Sequence, residues 1–270
     1  MFIAYNYSPE SAFYNAHING FLSLGNRIYE SHKEEVQRCL SEFITEEGII
    51  QGTALKQNWF SVEKADVFIS HSHKDINKVK AFAGWLQELF GLTTFIDSCT
   101  WGYCDDLLNR IDKKYCYNSK TKTYNYSLRN YTTSHVHMML STALTETMDR
   151  SECVVFFNTP NSIVMKDELA SIKKDSKITT SPWILYELTM VSEMRRTKPD
   201  RRSAFFEHNM SAKRDDFVIE YDVTRELKTL PCLKDDHLRY LLEHHSSSRH
   251  ALDELYEVSL SKKGINGMSF

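Results

Sequence analysis

Trp183 and Glu187 stand four residues apart in Ser181-Pro182-Trp183-Ile184-Leu185-Tyr186-Glu187-Leu188, a spacing that makes an indole ring and a carboxyl group neighbours on one helical face. Met190 and Val191 are the other neighbours of Glu187 at helical spacing. A carboxyl group held among apolar side chains ionises less readily than one in water, and acid–base groups are often made this way. A glutamate at the rim of a core is also an ordinary solvated residue, so the helix alone supports both roles. Three other polar clusters follow short apolar runs: Ser70-His71-Ser72-His73-Lys74-Asp75, Asp97-Ser98-Cys99-Thr100-Trp101, and Asn158-Thr159. Ser72, His73 and Lys74 bring hydroxyl, imidazole and ammonium groups to the first of these clusters, and Trp101 and Trp183 bring indole rings.

The elements that must position these residues are readable. Ser181 suits a helix cap and Pro182 the first helical position, while Ile184, Leu188 and Val191 form a core-facing stripe. Residues 66–71 predict a strand, 75–90 an amphipathic helix stopped by Gly91, and 92–96 a second strand closed by Asp97. Strand, helix, strand in succession argues for parallel pairing. The unbroken apolar run at 153–157 reads as a central strand buried on both faces. Residues 98–104 read as a loop, 105–111 as a short helix, 134–149 as a helix, and 166–180 as a polar loop. Weaker strands are expected at 203–206 and 217–221, and closing helices near 235–243 and 248–258.

The fold expected is α/β, a flavodoxin-like doubly wound parallel sheet over residues 63–270, with residues 1–62 as a helical N-terminal extension. In such sheets ligands bind beyond the carboxyl ends of the strands, near the switch in strand order, and all the polar clusters above arrive there.

Ala65-Asp66-Val67-Phe68-Ile69-Ser70-His71-Ser72-His73-Lys74-Asp75 resembles the first strand and loop of Toll/interleukin-1 receptor (TIR) domains. Ser151-Glu152-Cys153-Val154-Val155-Phe156-Phe157, followed by Ser181 to Leu188, resembles their third strand and third helix. The resemblance covers about residues 64–260. It implies an enzyme that cleaves NAD, as substrate and not as cofactor, at the nicotinamide–ribose bond. The family's catalytic glutamate lies four residues after a tryptophan, which matches Glu187 and Trp183. Ser70, His71, Ser72, His73, Lys74, Asp97, Trp101, Thr159 and Trp183 are then the expected substrate-binding set. Some bacterial members release ADP-ribose, others cyclise it into a signal for a partner effector in antiphage defence, and others are adaptors that only assemble. Self-association through TIR–TIR contacts and a downstream effector or regulatory protein are the implied partners. Thr159 departs from the pattern, since relatives often carry serine there.

Chemistry agrees with that implication. Breaking an N-glycosidic bond builds positive charge on the ribose, which a nearby carboxylate stabilises. A dehydrogenase is disfavoured because no glycine-rich phosphate fingerprint is present, and a serine hydrolase because G-x-S-x-G is absent. His71/His73 and His135/His137 are HxH pairs with no further ligand at metal spacing, so no metal is expected. Six cysteines without a CxxC pair, and no basic-then-apolar start, predict reduced thiols in the cytoplasm. Cys99 and Cys104 would be reactive if exposed. A net charge of −3 carries no global nucleic-acid or membrane signature, and no run of about 18 apolar residues occurs. The basic, tyrosine-rich segment 113–131 reads as an inserted loop or hairpin, and a solvated insertion is favoured over a nucleic-acid or partner contact.

Overall fold

Short apolar and aromatic runs pair side by side in the computed structural model, which describes residues 1–34, 40–60, 64–166, 176–197, 199 and 221–260. In chain order, β1 (Ile3–Tyr7) leads through α1 (Ser11–Phe13) and two irregular helical turns into α2 (Leu22–Glu34). Next come α3 (Gly52–Trp59), β2 (Val67–His71), α4 (Ile76–Phe90), β3 (Thr94–Ile96) and α5 (Ser98–Ile111). A hairpin of β4 (Tyr117–Asn118) and β5 (Thr123–Tyr124) enters α6 (Tyr126–Arg150), and β6 (Cys153–Phe157) follows. The rest comprises β7 (Val164–Lys166), β8 (Ser176–Thr179), α7 (Pro182–Glu193), β9 (Tyr221–Asp222), α8 (Thr224–Thr229), β10 (Cys232–Leu233), α9 (Asp235–His244) and α10 (Ala251–Leu260).

The central sheet is wholly parallel, in the order β10-β1-β6-β2-β3. All residues of β1, β2 and β6 are buried, as a parallel sheet covered on both faces requires. Alternation along the strands divides the core. Tyr5, Tyr7, Ile69, Val155 and Phe157 pack against α4, α9 and α10, while Ala4, Phe68, Phe95, Val154 and Phe156 pack against α3, α5, α6 and α7. The architecture is α/β, helices on both sides of a parallel sheet, and is compatible with flavodoxin-like winding. The run β3-β2-β6 follows the 2-1-3 order of such folds.

The fourth place in the sheet belongs to β1, and this corrects the expected helical extension. Residues 1–62 do not lie outside the sheet: Ile3 to Tyr7 pair with Cys153 to Phe157 on one side, and Asn6 and Tyr7 with Cys232 and Leu233 on the other. The helical part of this segment is also fused to the domain. Gly25 of α2 and Gly84 of α4 meet at the crossing, where a Cβ on Gly25 would lie 1.8 Å from the Lys80 carbonyl oxygen. Only hydrogen at both positions lets the two backbones approach so closely.

Other differences are local. Residues 98–104 are the first turns of α5 and not a loop, and α6 begins at Tyr126, eight residues before the expected start. The Asn125 side chain accepts from the Leu128 N–H at 3.0 Å, a cap that nucleates those extra turns. Within the expected polar loop, residues 176–179 form β8, paired with β7 and β9. The strand expected at 203–206 lies outside the described residues, as does all but Tyr221 of the one at 217–221.

Candidate functional site

Ser181 and Pro182 start α7 as their residue types dictate: the Ser181 hydroxyl accepts from the Ile184 N–H at 3.3 Å, and Pro182 needs no donor there. Ile184, Leu188 and Val191 then face the core, and the helical repeat carries Glu187 inward with them. α7 lies over the face of β2 that presents Phe68 and Ser70. Ser70 donates its hydroxyl to Glu187 Oε2 at 2.6 Å.

Asp97 joins the pair from the end of β3. Ile96 is in register with Ile69, so the next residue arrives beside the last two of β2. His71 Nδ1 lies 2.6 Å from Asp97 Oδ1, and its backbone N–H donates to Asp97 Oδ2 at 3.4 Å. The Glu187 carboxyl lies close enough to Asp97 to feel its charge. Four groups thus form one buried cluster, Ser70, Glu187, Asp97 and His71, in which none is more than 2 % exposed.

The environment favours the protonated form of Glu187. Burial withholds the water that would solvate its charge, and the adjacent Asp97 repels a second negative charge; both raise its pKa well above the ordinary value. The hydroxyl of Ser70 opposes this, since it donates best to an ionised carboxylate, and it is outweighed.

This has a consequence for stability. The unfolded carboxyl titrates near 4.5. Above that pH the unfolded chain loses the proton while the folded chain keeps it, so the folded state binds more protons and stability falls as pH rises. The Glu187 contribution is complete below pH 4.5 and is lost progressively toward its raised folded value. Glu187→Gln should remove this component. Denaturant unfolding at several pH values between about 5 and 8 should give a flatter stability profile for the variant than for the wild type. Equal slopes would mean that Glu187 is ionised in the folded chain.

The remaining expected residues are placed differently. Thr159 donates to Asp75 Oδ2 at 2.5 Å, Asn161 Nδ2 donates to Asp75 Oδ1 at 3.0 Å, and Lys78 Nζ reaches that same oxygen at 3.1 Å. This clamp joins the loops after β2 and β6 at the switch in strand order. Asp75 and Asn161 were not among the expected site residues. The sequence signal for Asp75 was an acid opening a helix directly after a strand. Ser72 is half-buried, and His73 and Lys74 are exposed, because the chain turns into a tight helical turn after His71. The turn also ends any shared strand face for His71 and His73. The Trp183 ring packs edge-on against His137 and Tyr186, with centroids 5.5 and 6.5 Å away. Trp101 lies in α5, and its side chain is outside the described residues.

Among the described residues, no group of three or more His, Cys, Asp and Glu is placed to hold a metal ion. Cys99 and Cys104 are buried, and burial pushes the Cys104 thiol up to about 12, which makes it a poor nucleophile. No helix among the described residues is long and apolar enough to cross a membrane. A surface cleft of about 400 Å³ beside Arg27 and Gln87, and one of about 290 Å³ beside Asp105 and Arg129, are lined by none of the four clustered side chains. In this structure the cluster is closed to solvent.

No family model, curated protein or solved structure matches the chain.

Proposed function

We propose that the chain is a TIR-type enzyme that cleaves the nicotinamide–ribose bond of NAD, with Glu187 as the catalytic carboxylate. The observation that carries this reading is the buried cluster of Ser70, Glu187, Asp97 and His71 at the carboxyl ends of β2 and β3, where parallel α/β sheets hold ligands. A carboxyl group with a raised pKa, coupled to a second carboxylate, is the arrangement by which proteins create acid–base groups. The nicotinamide ring of NAD is cationic. Its entry beside Glu187 would favour loss of the Glu187 proton, leaving a carboxylate next to the ribose. When the C1′–N bond breaks, its electron pair leaves with nicotinamide and the ribose becomes an oxocarbenium ion, which that carboxylate stabilises. Capture by water gives ADP-ribose and a proton; capture by a nucleophile within the same molecule gives a cyclised product. Either product fits a signalling or NAD-depleting role in bacterial antiphage defence, with self-assembly and an effector as partners.

The closed state of the cluster favours a second reading, a non-catalytic TIR interaction module in which the four groups are a structural network. The two are separated by following NAD by mass spectrometry with purified protein, up to concentrations at which it self-associates. The enzyme reading expects nicotinamide to accumulate in step with NAD loss. Unchanged NAD in the self-associated protein would leave the interaction module.

A further inference from the structure

The segment from Lys113 to Thr145 contains no acidic residue and five lysines and arginines, so it carries +5 in a chain whose total is −3. The rest of the chain is correspondingly acidic, and this charge is concentrated rather than diluted. The fold turns the most basic part of it outward: every residue from Tyr117 to Tyr131 is exposed. Tyr117 and Tyr124 are paired across the β4–β5 hairpin with ring centroids 5.1 Å apart, so they occupy one face. The Arg129 guanidinium lies 5.1 Å from the Tyr124 centroid, and its Nε is fixed by Asp112 Oδ2 at 2.6 Å. Lys120 and Lys122 stand in the turn of the hairpin, and Tyr126 opens α6 with its side chain 78 % exposed.

Exposed tyrosines that no core covers cost solvation unless a partner covers them. Sequence alone favours a solvated insertion. The structure adds three things to that reading: the rings are outward, two of them share a face, and the cations sit among them. Flat rings interleaved with lysine and arginine suit a strand that offers unpaired bases for stacking and phosphates for pairing. An acidic peptide would use the cations and leave the rings without a stacking partner.

We propose that the β4–β5 hairpin and the start of α6 bind single-stranded nucleic acid, by stacking bases on Tyr117 and Tyr124 and pairing phosphates with Lys120, Lys122 and Arg129. This site is independent of Glu187. The test is fluorescence anisotropy of a labelled oligothymidylate of about 20 nucleotides with the full chain, across salt concentrations. Binding is expected at about 50 mM salt, with a slope of log K on log salt near −2 to −3. Tyr117→Ser and Tyr124→Ser should each weaken binding by about tenfold, with unchanged circular dichroism, since both are exposed. Lys120→Gln with Lys122→Gln should reduce the salt slope by about 1.4. No binding at low salt would overturn the proposal. Binding that ignores both tyrosine changes and is displaced equally by polyphosphate would overturn it in favour of a charge-only surface. Equal displacement by polyglutamate, with the tyrosine variants unimpaired, would overturn it in favour of an acidic protein partner.

Discussion

Glu187→Gln is expected to lower NAD cleavage by at least about 100-fold, equivalent to roughly 3 kcal/mol of transition-state stabilisation. The substitution suits the site for a structural reason. In the closed cluster burial favours the neutral form of Glu187, which accepts from Ser70 and lies beside Asp97. Glutamine is uncharged as well, and its carbonyl oxygen can accept from Ser70 in the same way. The variant should therefore fold as the wild type does, and lost turnover can be assigned to the missing charge. Glutamine cannot release a proton when a cationic nicotinamide enters, so the effect should fall on kcat with little change in KM. Nicotinamide release under saturating and sub-saturating NAD measures both. A variant that keeps full turnover would remove Glu187 from the chemistry.

Gly25→Ala is expected to destabilise the chain by about 3 kcal/mol or more, a large share of the roughly 5–15 kcal/mol that holds a domain folded. Two effects oppose each other here. Alanine is the better helix former, which alone would stabilise α2 by about 1 kcal/mol. Against it, the new methyl would sit 1.8 Å from the Lys80 carbonyl oxygen and 2.3 Å from its carbonyl carbon, both backbone atoms of α4 that no rotamer change can move. The helices must separate, and the contact between Gly84 and the Phe21 carbonyl separates with them. Sterics outweigh propensity, and thermal unfolding should begin roughly 10 °C earlier. Gly20→Ala is the internal control, because a Cβ there meets nothing within 4 Å and φ is not left-handed. If both substitutions left the transition unchanged, α2 and α4 would not cross at this distance.

Much of the sheet could be read from sequence because its strands are short apolar runs with polar ends. Val67-Phe68-Ile69 before Ser70, and Val154-Val155-Phe156-Phe157 before Asn158, are of this kind. Gly91 closes α4 at φ +63, the conformation that makes glycine a stop signal. β1 was hidden because Tyr5, Asn6 and Tyr7 interrupt its apolar character. Each is satisfied by a residue far along the chain: Tyr5 pairs with the Ser259 hydroxyl at 2.6 Å, Asn6 Oδ1 accepts from Asn158 at 3.0 Å, and Tyr7 donates to Asp235 at 2.9 Å. No window of sequence contains such partners. β10, at two residues, is too short to show a period. At the site, the positions of Ser70, Asp97 and Glu187 near the sheet's ligand edge followed from the strand ends. Their mutual contact did not, because it exists only once the β2–β3 register and the α7 crossing bring 70, 97 and 187 together.

The place of β1 between β6 and β10 also governs how the chain must fold. β1 finds its neighbours only some 150 residues further on, at Cys153, and then about 80 more, at Cys232. Contacts so distant in sequence form slowly, because the intervening loop must be closed before pairing rewards it. Until β6 is made Ile3 to Tyr7 is an unpaired strand, and until β10 is made β1 keeps an open edge, the kind of surface through which chains aggregate. The β1–β10 edge of this sheet is thus the last part of it to be completed during synthesis, and the strand order leaves β1 open to self-association until then.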